Sequence, residues 1–123
     1  MVRARDTVRR SAERAGLAVD RIDDLVVAVS EACTNAMEAQ LRAGVTAPLV
    51  VTCSVRAKFF EVRVRDRGSG FSPDALSPRP PLSDPGHLEV ERGWGIQLMQ
   101  QLVDDLVFDV TGAGTCVRLR MSL

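Results

Sequence analysis

The spacing of apolar residues predicts two helices in the first third of the chain. Over residues 3–15 a thin apolar stripe runs through an arginine-rich segment, and Gly16 is typical of a helix end. Asp20 can cap a second, stronger helix, whose apolar positions recur every three or four residues as far as Gly44. These positions are Ile22, Leu25, Val26, Val29, Cys33, Ala36 and Met37.

Alternating polarity in the middle of the chain predicts a β-hairpin followed by a long loop. Leu49–Arg56 and Phe59–Asp66 are rich in valine and alternate between apolar and polar residues, and the short Ala57-Lys58 link favours antiparallel pairing. Residues 72–86 hold five of the six prolines, which can continue neither a strand ladder nor a helix. A loop of this length inside one domain is more often functional than idle.

The C-terminal part predicts one more helix and two strands. Residues 96–106 follow helical spacing, and residues 107–111 and 115–121 have strand character with a glycine-rich turn at 112–114. No internal repeat or linker interrupts the pattern. The 123 residues therefore predict a single domain, large enough to bury a core without disulfides or metal.

Composition restricts the classes of partner. Sixteen lysine and arginine residues balance sixteen aspartate and glutamate residues, so no net field attracts nucleic acid or an anionic membrane. The N-terminus lacks the apolar segment of a signal peptide, and no run approaches the roughly 20 apolar residues that span a bilayer. We expect a cytoplasmic protein. Cys33, Cys53 and Cys116 lie far apart without a C-x-x-C pair, which favours buried free thiols over a disulfide framework or zinc site.

The second predicted helix carries a candidate pair of functional side chains. Glu31 and Asn35 are four residues apart, so they share one face, opposite the apolar stripe, and Glu38 lies close to the same line. An amide oxygen is a hard ligand for Mg²⁺, and a carboxylate can orient or deprotonate a nucleophile. A solvated helix face is the alternative, and the pair taken alone favours that alternative.

Two later segments add candidate nucleotide-binding chemistry. Asp66 ends a predicted strand, where it can accept a hydrogen bond from an exocyclic amine such as that of adenine, while Gly68 and Gly70 let the backbone approach a flat ring. Gly93 and Gly95 fall at the predicted first turn of a helix, whose free N–H groups favour phosphate. A polar turn and a plain loop-to-helix junction are the alternatives for each segment by itself.

Taken together, the motifs resemble those of the GHKL ATPases across residues 20–121. The matching residues are Glu31-x-x-x-Asn35, Asp66-x-Gly68-x-Gly70, Gly93-x-Gly95 and Gly114-Thr115. Within that superfamily, the sequence around Glu31 and over residues 91–99 most resembles that of the RsbW-type anti-sigma factor serine kinases. The resemblance implies an α/β sandwich, with helices on one face of a mixed, mainly antiparallel sheet. It also implies ATP held between helices under a lid at about residues 72–92.

By position, the resemblance also implies a role for individual residues. Asn35 would bind Mg²⁺, Asp66 would bind the adenine amine, and Thr115 would join the Asp66–adenine network. Glu31 would be the general base. Gly68 and Gly70 would face the adenine, and Gly93 and Gly95 the phosphates. The implied cofactor-binding set is Asn35, Asp66, Gly68, Gly70, Gly93, Trp94, Gly95, Ile96 and Thr115. Trp94 could cover the nucleotide, contact the lid, meet a partner or simply pack.

The sequence departs from the family at two places. Ala39 stands where many relatives have a histidine, so no role is assigned to a histidine there. The chain also begins almost inside its first predicted helix, whereas relatives usually begin with a strand that often supports dimerisation, which leaves open whether it forms a homodimer.

Three function classes follow from the motifs and the resemblance. The favoured one is an ATP- and Mg²⁺-dependent serine/threonine protein kinase that phosphorylates an anti-sigma factor antagonist and sequesters a sigma factor, without contacting nucleic acid. The second is a sigma-binding module with structural or vestigial ATP. The third, the ATPase half of a histidine kinase, is disfavoured because the only histidine, His87, falls in the proline-rich region without a preceding dimerisation helix pair.

Overall fold

A computed structural model describes residues 2–68 and 87–123, with side chains at 3–68 and 95–123. Within these ranges the elements follow the predicted order of helices and strands. They are α1 (Val2–Ala15), α2 (Val19–Ala43), β1 (Val50–Arg56), β2 (Phe59–Asp66), α3 (His87–Leu102), β3 (Asp105–Thr111) and β4 (Gly114–Ser122).

The described strands form one antiparallel sheet in the order β1-β2-β4-β3. Alternation along β2 and β4 turns Val62, Val64, Val117 and Leu119 to one face, where they join the buried side chains of all three helices. Each such side chain stabilises the fold by about 1.5–3 kcal/mol through burial. The predicted α/β sandwich is confirmed, with helices packed on one face of an antiparallel sheet.

The ends of α2 show where local signals were sufficient and where they were not. Gly44 adopts φ 70°, the left-handed conformation typical of a helix C-cap, as its position predicted. Asp20 is not the N-cap, because Ala18 occupies that position with extended backbone and no side-chain cap. The helix begins early because the short connection from α1 is fixed by the buried Leu17, whose N–H donates to Ala12 O.

The third helix differs most from its prediction. It begins at His87 and ends at Leu102, so residues 93–95 lie inside the helix and not at its first turn. Glycine lowers helix propensity by about 1 kcal/mol relative to alanine, so the sequence did not predict that the helix begins before these glycines. His87 is therefore a helix residue and not part of the proline-rich loop. Residues 72–86 of the proposed lid lie outside the described residues.

The sheet face away from the helices carries a buried carboxylate. Glu61 is fully buried and lies 2.6 Å from Arg63 Nε and 2.7 Å from Arg120 Nε. Burial acts to raise the pKa of Glu61, but hydrogen bonds from the arginines outweigh it and hold that pKa below its usual value. This network connects β2 to β4 beneath the exposed surface.

The cysteines follow their prediction only in part. All three are free thiols, but only Cys33 is buried, whereas Cys53 and Cys116 are half-buried. Burial raises the pKa of the Cys33 and Cys53 thiols, which keeps them protonated. In the parts of the chain that the structure describes, no helix combines the length and apolar character needed to cross a bilayer.

Candidate functional site

The ends of β2 and β4 bring two predicted site residues together. Asp66 and Thr115 are direct partners in the antiparallel register, and both side chains turn to the helix-facing side of the sheet. Their exposed fractions are 2% and 1%. Asp66 Oδ1 accepts a hydrogen bond from Gly68 N at 2.8 Å, whereas Asp66 Oδ2 and Thr115 Oγ1 are buried without a partner among the described residues.

Helix α2 supplies the other half of the site. Asn35 is 8% exposed, and its Nδ2 is also buried without a hydrogen bond in the described part of the chain. Glu31 lies one turn earlier on the same side and is half-buried. A solvated helix face, the alternative that the spacing left open, does not fit the buried Asn35.

The unpartnered atoms fit a polar ligand. A buried donor or acceptor without a partner costs about 1–3 kcal/mol, so folded proteins rarely keep several of them. In residues 3–68 and 95–123, four buried side-chain atoms lack a hydrogen bond, and three of these belong to Asn35, Asp66 and Thr115. A nucleotide would supply both donors and acceptors to these atoms, which makes the donor set compatible with ATP.

Three close approaches shape the site, and each occurs at a glycine. A Cβ on Gly95 would lie 2.9 Å from Glu31 Oε2, so this glycine lets α3 pack against the functional face of α2. A Cβ on Gly68 would lie 2.7 Å from the carbonyl carbon of Ala39. Gly114 has φ 141°, and a Cβ there would clash with the carbonyl oxygen of Asp66.

Gln40 is a positioning residue that the sequence analysis missed. Its Nε2 donates to Ala47 O at 2.6 Å, and its Oε1 accepts from Arg67 N at 2.9 Å. One buried amide therefore connects the end of α2 to the segment before β1 and to the segment after Asp66. A glutamine near a helix end gives no local signal of this role, because both partners are remote in sequence.

A comparison with known protein families identifies the family of this chain. The profile of the histidine kinase-like ATPase domain matches residues 1–121. The chain belongs to this family. The GHKL resemblance inferred from the motifs is thereby confirmed.

Individual relatives of this histidine kinase-like ATPase domain are serine kinases by name. "Serine-protein kinase RsbW" of Bacillus licheniformis is 35% identical over 104 residues, which are 81% of this chain and 64% of that protein. The protein of the same name from Bacillus subtilis strain 168 is also 35% identical with the same coverage. The chain thus spans about 64% of the length of these curated relatives.

A solved structure with the same fold is the blue-light activated histidine kinase of Erythrobacter litoralis EL346. It superposes with a TM-score of 0.58 at 25% identity, over 86% of this chain and 31% of that chain. Its histidine kinase domain, solved separately, gives a TM-score of 0.57 at 23% identity and supports the fold alone.

Not every predicted site residue falls in the described region of this histidine kinase-like ATPase domain. Gly70 lies outside it, and Gly93 and Trp94 are described only as part of the α3 backbone. The Ile96 side chain is 4% exposed and belongs to the core. No cluster of three His, Cys, Asp or Glu side chains forms within the described residues.

Proposed function

We propose that this domain is an ATP-dependent serine/threonine protein kinase that phosphorylates an anti-sigma factor antagonist and sequesters a sigma factor. The proposal rests on the buried side-chain atoms of Asn35, Asp66 and Thr115 that have no hydrogen bond among the described residues. Glu31 lies one helical turn from Asn35. The similarity to relatives named serine-protein kinases supports the choice of a protein hydroxyl as acceptor.

The proposal assigns nucleotide binding to three side chains. Asp66 Oδ2 would accept a hydrogen bond from the adenine amine, and Thr115 Oγ1 would complete the network around it. The amide oxygen of Asn35 would ligate Mg²⁺, and its unpartnered Nδ2 is a donor available to a phosphate oxygen. Bound Mg²⁺ neutralises part of the phosphate charge. Gly95 would admit the phosphates beside α2.

Glu31 would act on the acceptor protein. The serine or threonine oxygen forms a bond to the γ-phosphorus as the bond from that phosphorus to the β–γ bridging oxygen breaks, which leaves ADP. The hydroxyl proton passes to the Glu31 carboxylate. The backbone of α3 at Gly95 approaches this carboxylate closely, and no hydrogen bond among the described residues holds it.

The test separates chemistry from binding. Radiolabelled ATP is incubated with the domain and a panel of antagonist domains, and ATP affinity is measured by calorimetry. We expect Glu31→Ala to lower phosphate transfer by roughly 10²–10⁴-fold while ATP affinity stays within a few-fold. Asn35→Ala should lower both. Glu13→Ala, which removes an exposed carboxylate of α1, is the matched control.

Each outcome has a definite meaning. Equal loss of ATP affinity in the Glu31 and Asn35 variants would make Glu31 a binding residue and refute its role as base. ATP binding without transfer to any antagonist would favour a sigma-binding module without kinase activity.

The proposal also predicts a switch of partner. Phosphorylation adds about −1.5 to −2 charges to the antagonist beside Glu31, so repulsion should release it and free the domain for the sigma factor. Affinity for the antagonist should fall sharply after phosphorylation. Pull-down experiments with ATP and with ADP that recover neither a sigma factor nor a small antagonist domain would favour another client.

A further inference from the structure

A cavity rich in arginine lies at the end of the sheet, and Asp66 and Thr115 of the candidate nucleotide site are also among its lining residues. Arg63 and Arg65 alternate with the buried Val62 and Val64 and therefore lie on the other face of β2. With Arg67 and Arg118 they line a cavity of about 550 Å³ at the end of the sheet. Four guanidinium groups gather there from two strands and the residue that follows β2.

The register places like charges against each other. Arg63 and Arg118 are direct partners in the β2–β4 ladder, and like charges in such a position destabilise a sheet. Each has an acid nearby, since Arg63 Nε lies 2.6 Å from Glu61 Oε1 and Arg118 Nε lies 2.9 Å from Asp109 Oδ2. The Arg118 contact is not aligned as a hydrogen bond, so this buried N–H remains without one among the described residues.

The other two arginines, Arg65 and Arg67, form no ion pair within the described residues. Arg65 lies opposite Cys116 on β4 and Val50 on β1, so its neighbours in the ladder offer no carboxylate. Arg67 likewise forms no described ion pair, and both side chains are exposed. The acids that line the cavity are Asp109, which lies 2.9 Å from Arg118 Nε, and Asp66, whose carboxylate turns to the helices. The lining therefore carries a surplus of positive charge.

We propose that this arginine-lined cavity binds a phosphate group, either as inorganic phosphate or as a phosphate monoester of a small molecule. Guanidinium groups are planar forks that match the geometry of phosphate, and three of the four, those of Arg63, Arg65 and Arg118, are carried by β-strands. The volume lies within the roughly 300–1,000 Å³ of small-molecule sites and leaves room beyond one phosphate. The inference does not depend on the proposed kinase activity.

The test is an amide NMR titration of the whole chain with inorganic phosphate at constant ionic strength. We expect saturable shifts at the amides of Arg65, Thr111 and Cys116. Arg65→Gln and, separately, Arg67→Gln should weaken binding about tenfold, the effect of losing one charge-assisted contact. Lys58→Gln removes the same charge at the opposite end of β2 and should leave the affinity within twofold.

A second titration with glycerol 3-phosphate distinguishes the two sources. Tighter binding than inorganic phosphate supports a monoester, and equal binding supports free phosphate. The proposal is overturned if the shifts do not saturate, if the arginine variants respond like the parent, or if the shifts centre on Asn35 and Gly95. It is also overturned if polyglutamate binds where phosphate does not, or if the same amides shift with protein concentration alone, which would indicate self-association.

Discussion

Replacing Asp66 with asparagine tests the candidate nucleotide site most directly, because its two carboxylate oxygens have different surroundings. Oδ1 accepts a hydrogen bond from Gly68 N at 2.8 Å, whereas Oδ2 is buried without a partner among the described residues. The proposed ligand contact therefore falls on Oδ2. Asparagine can keep the first contact but presents an amide NH₂ to the adenine amine, so two donors would face each other.

The expected loss of ATP affinity follows from the type of hydrogen bond that the substitution removes. A lost charge-assisted hydrogen bond is worth about 1.5–3 kcal/mol, which corresponds to roughly 10- to 150-fold weaker ATP binding. The protein without nucleotide should behave differently. Since the substitution removes a buried charge with an unpartnered oxygen, the melting temperature should stay constant or rise.

Calorimetry with Mg-ATP gives the affinity, and circular dichroism gives the fold and the melting temperature. Asp20→Asn, at an exposed position in the first turn of α2, is the matched control and should change neither. Unchanged ATP affinity in a folded Asp66→Asn variant would remove Asp66 from the site. A large fall in melting temperature would instead make this carboxylate a structural residue.

Three further substitutions test the packing around the site. Gly95→Ala places a Cβ 2.9 Å from Glu31 Oε2, so the carboxylate must shift, and we expect at least a tenfold loss of phosphate transfer. The melting temperature should stay unchanged, because the gain of about 1 kcal/mol in helix propensity offsets the cost of the new contact. Normal phosphate transfer would refute the packing argument. Gly114→Ala should cost roughly 3 kcal/mol or more in urea denaturation, because φ is 141° and the Cβ meets backbone, whereas Gly112→Ala has open space and serves as control. Glu61→Gln should cost about 1.5–3 kcal/mol at pH 7. Because the folded-state pKa of Glu61 is lowered, its stabilisation is present above about pH 4.3 and lost as the pH falls through that lowered pKa, so the gap between parent and variant should close in acid; a constant gap would contradict this.

Periodicity alone determined much of the fold. The α2 stripe, its glycine end at Gly44 and the hairpin through Ala57 are local features, so short-range spacing was enough to predict them. Asn35 and Asp66 could be named as candidate site residues only because the separate motifs occur together in the order typical of the GHKL ATPases, since each motif alone favoured a simpler explanation.

Tertiary structure decided the course of α3, the role of Gln40 and the strand register, because these features depend on contacts between segments that are distant in sequence. Helix α3 runs through two glycines that disfavour helix locally, and one of them, Gly95, lies where the helix meets the carboxylate of Glu31. Gln40 gained its role only when the chain returned to place Arg67 N within 2.9 Å. The register of β2 with β4 paired Asp66 with Thr115 on one face and Arg63 with Arg118 on the other. Pairing across strands far apart in sequence is set by packing of the whole sheet, and no local pattern contains it.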